Sequence, residues 1–192
     1  MSKALFIVDV QNDFTEGGAL GVDGGDAVAE RITAYLAAHA GEYAVIVASR
    51  DWHDPDNDNG GHFHPEPDFV DTWPVHCVSG TEGAEYDPGL DTGAVTHHVK
   101  KGQGQPAYSL FEGTTDDGVT VAHLLDEHGV VDVDVTGIAT DYCVRASGLD
   151  AIEHGRHVRI LTDLIAGVAA ESSDAALAEL AHAGAELAES DV

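Results

Sequence analysis

Basic residues are scarce in this chain of 192 residues, which has 8 lysines and arginines against 35 aspartates and glutamates. The formal net charge of −27 repels nucleic acid and anionic lipid, so we expect neither nucleic acid nor a membrane as a partner. Because the acidic residues are spread along the whole chain, we interpret them as adaptation to a salt-rich, halophilic cytoplasm, where salt screens their repulsion. The alternative is an ordinary acidic protein with a basic partner.

Cysteine and long apolar runs are scarce as well. Cys77 and Cys143 give no disulfide framework and fit a reduced compartment. The apolar stretch from Ala4 to Val10 is too short for a secretory signal, and no run approaches the length of a membrane span. We therefore expect one cytoplasmic domain over residues 1–192, and both a monomer and a homo-oligomer are compatible with the sequence.

Short apolar runs alternate with segments whose apolar residues recur three and four positions apart. The predicted strands are Ala4–Val10, Tyr43–Ser49, Ala94–Lys100, Val131–Thr136, His157–Leu161 and Ala185–Glu189. The predicted helices are Asp26–Ala40, Val119–His128, Tyr142–His154 and Ser173–Ala183. This alternation predicts a three-layer α/β fold with a six-stranded, mostly parallel sheet. The interval from Asp51 to Thr92 is rich in proline and lacks periodicity, and an ordered loop of that length is typically functional.

Reactive side chains fall at the ends of the predicted strands. Asp9 closes the first strand, and Asp51, Lys101, Cys143 and Asp163 follow the next four. In open parallel sheets, ligands bind beyond the carboxyl ends of the strands, near the point where the strand order reverses. We therefore expect these residues to share one rim.

Cys143 is the candidate nucleophile. A thiol at a helix N-terminus has a lowered pKa, and the free N–H groups there can stabilise an oxyanion. The alternatives are that Cys143 is a small buried hydrophobe, or that Cys77 is the reactive thiol.

Asp9 ends an apolar strand, which suits a general base with a raised pKa, although capping or a salt bridge would also explain it. Lys101 is one of only three lysines, and strand alternation directs Lys100 to the opposite side.

A metal site is the next candidate. Asp51 and His53 lie two residues apart, on one side of an extended segment, and His62 and His76 from the same loop can complete the set. His64 is an alternative to His62. One carboxylate with several imidazoles suits zinc, iron or manganese. The abundance of histidine and aspartate makes chance proximity the competing explanation.

Several short segments carry a resemblance to a known family. They are DVQNDF (9–14), DWH (51–53), HF (62–63), WPVHC (73–77), KG (101–102) with YSLF (108–111), and GIATDYCV (137–144). In these segments, which span nearly the whole chain, the protein resembles the nicotinamidase/pyrazinamidase branch of the isochorismatase-like cysteine hydrolases. The resemblance implies a six-stranded parallel sheet whose first and fourth strands flank the switch point.

The resemblance also implies the site and the reaction. The catalytic residues would be Asp9, Lys101 and Cys143, and the thiolate would attack the carboxamide of nicotinamide, or of pyrazinamide, to give the acid and ammonia for NAD salvage. The backbone N–H groups of Ala139 and Cys143 would hold the oxyanion, and the 138–139 peptide is cis in relatives. A metal, zinc first and iron or manganese as alternatives, would bind the pyridine nitrogen from a loop at about residues 51–92. The implied metal ligands are Asp51, His53, His62 and His76. The implied pocket residues are Phe14, Trp73, Tyr108, Ile138 and Tyr142.

Two alternatives stay open. A related cysteine amidohydrolase would act on a carbamoyl or ureido substrate, which the metal loop disfavours. A non-catalytic signalling receiver domain also places acids and a lysine at strand ends, and it would be phosphorylated on Asp51. The absence of an acidic pair after the first strand disfavours that alternative.

Overall fold

The computed structural model describes residues 2–191. Over those residues, six strands alternate with four α-helices and short 3₁₀ turns. The strands are β1 (Ser2–Val8), β2 (Val45–Asp51), β3 (His97–Lys101), β4 (Val130–Ile138), β5 (His157–Ala166) and β6 (Glu186–Ala188). The helices are α1 (Gly25–His39), α2 (Val121–Glu127), α3 (Arg145–Glu153) and α4 (Ala170–Ala183). The predicted α/β fold with a six-stranded sheet is therefore confirmed.

The strands form one parallel sheet in the order β3-β2-β1-β4-β5-β6. The chain runs outward from β1 to β3 and then crosses back to place β4 on the other side of β1. The strand order reverses between β1 and β4, so their carboxyl ends border the crevice in which ligands of such sheets bind.

Two hydrophobic layers cover the sheet. Residues of β1 alternate between them: Ala4, Phe6 and Val8 face the side covered by α2, α3 and α4, while Leu5 and Ile7 face α1. All five are fully buried. Burial on both faces explains why the first strand is almost continuously apolar rather than alternating.

Two element boundaries differ from the predicted ones in ways that affect the site. The third helix begins at Arg145 rather than Tyr142, because one turn of π-helix over Thr140–Val144 connects β4 to it. Strand β5 extends to Ala166, so Asp163 lies inside the strand. Its carboxylate accepts hydrogen bonds from the N–H and hydroxyl of Ser190, and it does not join the rim.

Residues 52–96 connect β2 to β3 with little regular structure. Isolated bridges fold this segment back on itself, pairing His53 with Val78 and Phe63 with Trp73. A further bridge pairs Tyr86 with Gln11, three residues after β1, and so anchors the loop beside the carboxyl end of that strand.

Candidate active site

Four elements deliver the candidate residues to one place. Asp9 follows β1 directly, Asp51 and Lys101 are the last residues of β2 and β3, and Cys143 lies in the π-helical turn after β4. Parallel strands end at the same edge, so side chains far apart in sequence meet there.

Lys101 lies at the centre of this group and is fully buried. Its Nζ is 2.9 Å from Asp9 Oδ2 and 3.6 Å from Cys143 Sγ, and it donates a hydrogen bond to Asp51 Oδ1. Burial alone would lower the pKa of the ammonium, but Asp51 and Asp9 outweigh burial and raise that pKa well above its ordinary value. Lys101 is therefore charged and holds two carboxylates and the thiol together.

Asp9 is held in an uncommon conformation. Its φ of 47° lies in the left-handed region, which costs a non-glycine residue about 1–3 kcal/mol and occurs mainly at functional sites. The hydroxyl of Ser49 donates to Asp9 Oδ1 at 2.7 Å. Burial raises the pKa of the Asp9 carboxyl, against the attraction of Lys101. A carboxyl with a raised pKa is suited to take and return a proton.

The thiol of Cys143 is 7% exposed, and it is part of the pocket wall. Burial raises its pKa well above the ordinary value, Lys101 opposes that shift, and Asp9 adds to it. We expected a helix N-terminus to lower the pKa of Cys143, but burial raises it instead. The raised pKa favours the neutral thiol, and the adjacent Asp9 carboxylate is placed to accept its proton.

The turn that carries Cys143 begins at Ala139. The Ile138–Ala139 peptide is cis, and the carbonyl of Ala139 accepts hydrogen bonds from the N–H groups of Tyr142 and Val144, each at 3.1 Å. Ala139 and Cys143 both line the pocket. The two residues expected to hold an oxyanion therefore border the same space.

Three buried imidazoles form a candidate metal site next to the thiol. His53, His62 and His76 each place one nitrogen within 4.8 Å of the others. Nδ1 of His53 donates to the carbonyl of Gly102 at 2.8 Å, and Nδ1 of His76 donates to that of Pro74 at 2.7 Å. In both rings the lone pair is then on Nε2, which is the arrangement of a metal-binding histidine.

The surroundings of these imidazoles fit a metal ion. His53 Nε2 and His62 Nδ1 are buried and have no hydrogen-bond partner. Burial, with His53 and His76 nearby, lowers the pKa of His62 to about 4, so the ring is neutral as a ligand must be. Three clustered imidazoles suit zinc and related transition metals. His64, the alternative to His62, is exposed and hydrogen-bonded to Glu66 instead.

Asp51 lies between the imidazoles and Lys101. Its Oδ2 is 3.6 Å from His53 Nε2 and 3.8 Å from His76 Nε2, while Oδ1 accepts from Lys101. Burial disfavours its ionised form, but the Lys101 ammonium outweighs burial and holds the pKa of Asp51 well below the ordinary value. Asp51 is thus a carboxylate shared between the amine and the imidazole group.

Residues outside the predicted set hold the loop in place. Gln11 accepts the N–H of Asp51 at 2.8 Å and donates to its carbonyl at 2.9 Å. Asp13 accepts the N–H of Cys77 at 2.6 Å. Cys77 itself is fully buried, and its carbonyl accepts from the N–H of His53. Its thiol has a pKa raised well above the ordinary value by burial and then by Asp51, which agrees with a structural role.

A pocket of about 350 Å³ opens above these groups. Of the expected pocket residues, Phe14, Trp73, Tyr108 and Tyr142 line it. Ile138 does not line it, because its side chain is fully buried in the layer under α1. Residues that sequence reasoning missed also line the pocket: Ala19, Leu20, Gly21, Val22, Phe69, Ala107 and Val168. They lie in loops without a chemical signature, so only the folded chain identifies them.

The fold and the site together define a class: three-layer α/β proteins with a thiol, a carboxyl and an amine in contact at the switch point of a parallel sheet. The Isochorismatase domain model matches residues 3–192, and the chain belongs to the isochorismatase family. The nicotinamidase/pyrazinamidase of Mycobacterium tuberculosis is 49% identical over 185 residues, which are 96% of this chain and 97% of that one.

Solved structures agree with this family. The pyrazinamidase of Pyrococcus horikoshii in complex with zinc superposes with a TM-score of 0.84 at 38% identity, covering 99% of this chain and 100% of that one. PnC1 from L. infantum in complex with nicotinate has a TM-score of 0.83 at 36% identity, covering 98% and 92%. Over residues 2–191, we find no helix with the length and apolar character needed to cross a membrane.

Proposed function

We propose that this chain is a cytoplasmic amidohydrolase that converts nicotinamide, and also pyrazinamide, into the acid and ammonia for NAD salvage. The main support is one observation: a thiol, a carboxyl and an ammonium are in contact at the floor of an aromatic pocket, beside three imidazoles. The names of the similar proteins support the same substrate. The receiver-domain alternative has no support from this family.

In the first half of the proposed reaction, the Cys143 thiol gives its proton to Asp9, and the sulfur attacks the carboxamide carbon. Lys101 stabilises the thiolate as it forms, because its Nζ is 3.6 Å from the sulfur. The N–H groups of Ala139 and Cys143 would hold the oxyanion. Asp9 then gives the proton to the amide nitrogen, the C–N bond breaks, ammonia leaves, and a thioester remains.

In the second half, water attacks the thioester carbon. Asp9 takes one proton from that water, and the C–S bond breaks as the oxyanion collapses to the carboxylic acid. The proton on Asp9 returns to the sulfur, so the enzyme regains its starting state. Burial raises the pKa of Asp9, so its protonated form is easier to reach, and this suits the carboxyl to both proton transfers.

The imidazole group provides the proposed metal site. His53, His62 and His76, with Asp51 beside them, would hold zinc, the metal of the P. horikoshii structure, with iron or manganese as alternatives. Bound there, the metal would supply a Lewis-acid contact for the ring nitrogen of the substrate. The carbonyls of Gly102 and Pro74 keep Nδ1 of two rings protonated and Nε2 free.

The pocket wall favours an aromatic amide over a carbamoyl or ureido substrate. Trp73 packs edge-to-face on Tyr142 with ring centroids 5.1 Å apart, and its Nε1 donates to the hydroxyl of Tyr108 at 3.0 Å. A heteroaromatic ring can stack on such a wall, whereas a small ureido group leaves it unfilled.

Ammonia release tests the proposal. Wild-type protein should release ammonia from nicotinamide and pyrazinamide, and Cys143→Ala should release none. Cys77→Ala is the matched control, because it removes the other thiol and should keep activity. Release from a ureido substrate but not from nicotinamide would contradict the proposal.

A further inference from the structure

The outer rim of the pocket carries two large apolar side chains that are poorly buried. Phe69 and Val168 both line the pocket, yet they are 54% and 55% exposed. The wall beneath them is formed largely by buried or half-buried residues. An aromatic ring left half exposed at a pocket mouth can still bury area against a ligand.

The backbone at Phe69 is one that a side chain disfavours. Its φ is 58°, in the left-handed region where glycine or asparagine is the usual residue. The turn itself therefore does not explain why a phenylalanine stands at this position.

The turn around Phe69 is rigidly built. Oδ1 of Asp68 accepts the N–H groups of Val70, Asp71 and Thr72 at 2.9–3.0 Å, together with the Thr72 hydroxyl at 2.9 Å. The N–H of Phe69 donates to the carbonyl of Thr72 at 3.0 Å. The ring is therefore presented by a turn whose conformation is fixed by hydrogen bonds within residues 68–72.

Phe69 also continues the aromatic wall of the pocket. Its ring meets Trp73 edge-to-face, with centroids 6.1 Å apart and planes at 87°. The hydroxyl of Tyr142 donates to the carbonyl of Phe69 at 3.4 Å. The turn therefore contacts Trp73 and Tyr142, which form the inner wall of the pocket. Phe69 is the exposed end of this row of aromatic residues.

We propose that Phe69 is a specificity-determining residue that limits substitution on the outer edge of the substrate ring. The inference rests on the proposed function, in which the carboxamide on carbon 3 faces Cys143 and the ring nitrogen faces the imidazoles. Carbon 5 then faces away from both groups and toward the rim. Phe69 covers that edge, together with Val168 on the rim.

Kinetics on paired substrates test this inference. Phe69→Gly removes the ring, and glycine suits the left-handed backbone, so the turn should keep its conformation in the variant. We expect wild type to discriminate against 5-methyl- and 5-bromonicotinamide, and Phe69→Gly to reduce that discrimination in kcat/KM by about tenfold or more. For nicotinamide itself, KM should rise by about tenfold or less, with kcat little changed.

Controls separate the possible failures. Val70→Ala changes the neighbouring residue, which is 67% exposed and does not line the pocket, and it should keep the wild-type ratio. Alkylation of Cys143 by iodoacetamide and the zinc content should be unchanged in Phe69→Gly. An unchanged substrate ratio in Phe69→Gly, or an equal change in Val70→Ala, would overturn the inference. Wild type that releases no ammonia from nicotinamide would overturn the proposed function and this inference with it.

Discussion

Replacing Lys101 by methionine should destabilise the protein strongly, because it removes the ammonium that lies between two buried carboxylates. Lys101 is fully buried, and its Nζ contacts Asp9 at 2.9 Å and also Asp51. Methionine fills most of the space of the lysine stem, so the loss comes mainly from charge. Removing one partner of a buried ion pair costs about 3–5 kcal/mol, and we expect a loss of that size in the free energy of unfolding.

The neighbouring lysine provides the matched control. Lys100 pairs at 2.8 Å with Asp116, whose side chain is 83% exposed, so Lys100→Met should cost about 1 kcal/mol or less. Urea unfolding of both variants and wild type, with chelator present, measures the difference. Lys101→Met should also lower kcat/KM for nicotinamide by at least about 100-fold. If Lys101→Met is as stable as Lys100→Met, or keeps wild-type ammonia release, the assigned centre of the site is wrong.

Three other features of the molecule give predictions. His62→Ala should weaken zinc binding by about 10-fold or more, and His64→Ala should leave zinc binding unchanged. Competition with a chromogenic chelator measures both affinities, and equal effects of the two substitutions would contradict the choice of His62. Burial opposes the ionised form of Asp134, but hydrogen bonds from Arg159, Lys3 and Tyr43 outweigh it and hold its pKa below the ordinary value. The ionised carboxylate therefore stabilises the fold above about pH 4, and this contribution is lost as the pH falls through the folded-state pKa. Asp134→Asn should lower the free energy of unfolding at neutral pH and reduce the loss of that free energy in acid. If the free energy of unfolding of the variant falls with pH as steeply as that of wild type, this reasoning is wrong. Molar KCl should raise the midpoint temperature of unfolding, because salt screens the repulsion within a chain that carries a net charge of −27. Each kcal/mol gained in stability corresponds to about 2–4 °C, and equal midpoints in low and molar salt would contradict the salt adaptation.

The fold was predictable because strand and helix periodicities differ and the chain follows them closely. Val8 and Ile7 face opposite layers of a doubly covered sheet, and a continuous apolar run indicates that arrangement. The meeting of Asp9, Lys101 and Cys143 followed from a general property of parallel sheets, whose strands end at one edge. The family resemblance supplied the reaction, which periodicity alone does not indicate.

What sequence reasoning missed depends on exact chain positions. Asp163 fell inside β5 because the strand runs five residues beyond the predicted end at Leu161. The pKa of Cys143 is raised and not lowered as expected, because burial outweighs the charge of Lys101. Phe69 gave no signal, because its importance comes from a turn that folds it over a pocket built by distant residues.

Covalent trapping tests the central claim most directly. Acid-quenched wild-type protein, mixed with nicotinamide and digested for peptide mass spectrometry, should carry a nicotinoyl group as a thioester on Cys143. Protein in which Asp9 is replaced by asparagine should form much less of it in the same time. A nicotinoyl group on Cys77, or ammonia release with no modified Cys143 at any quench time, would contradict the account.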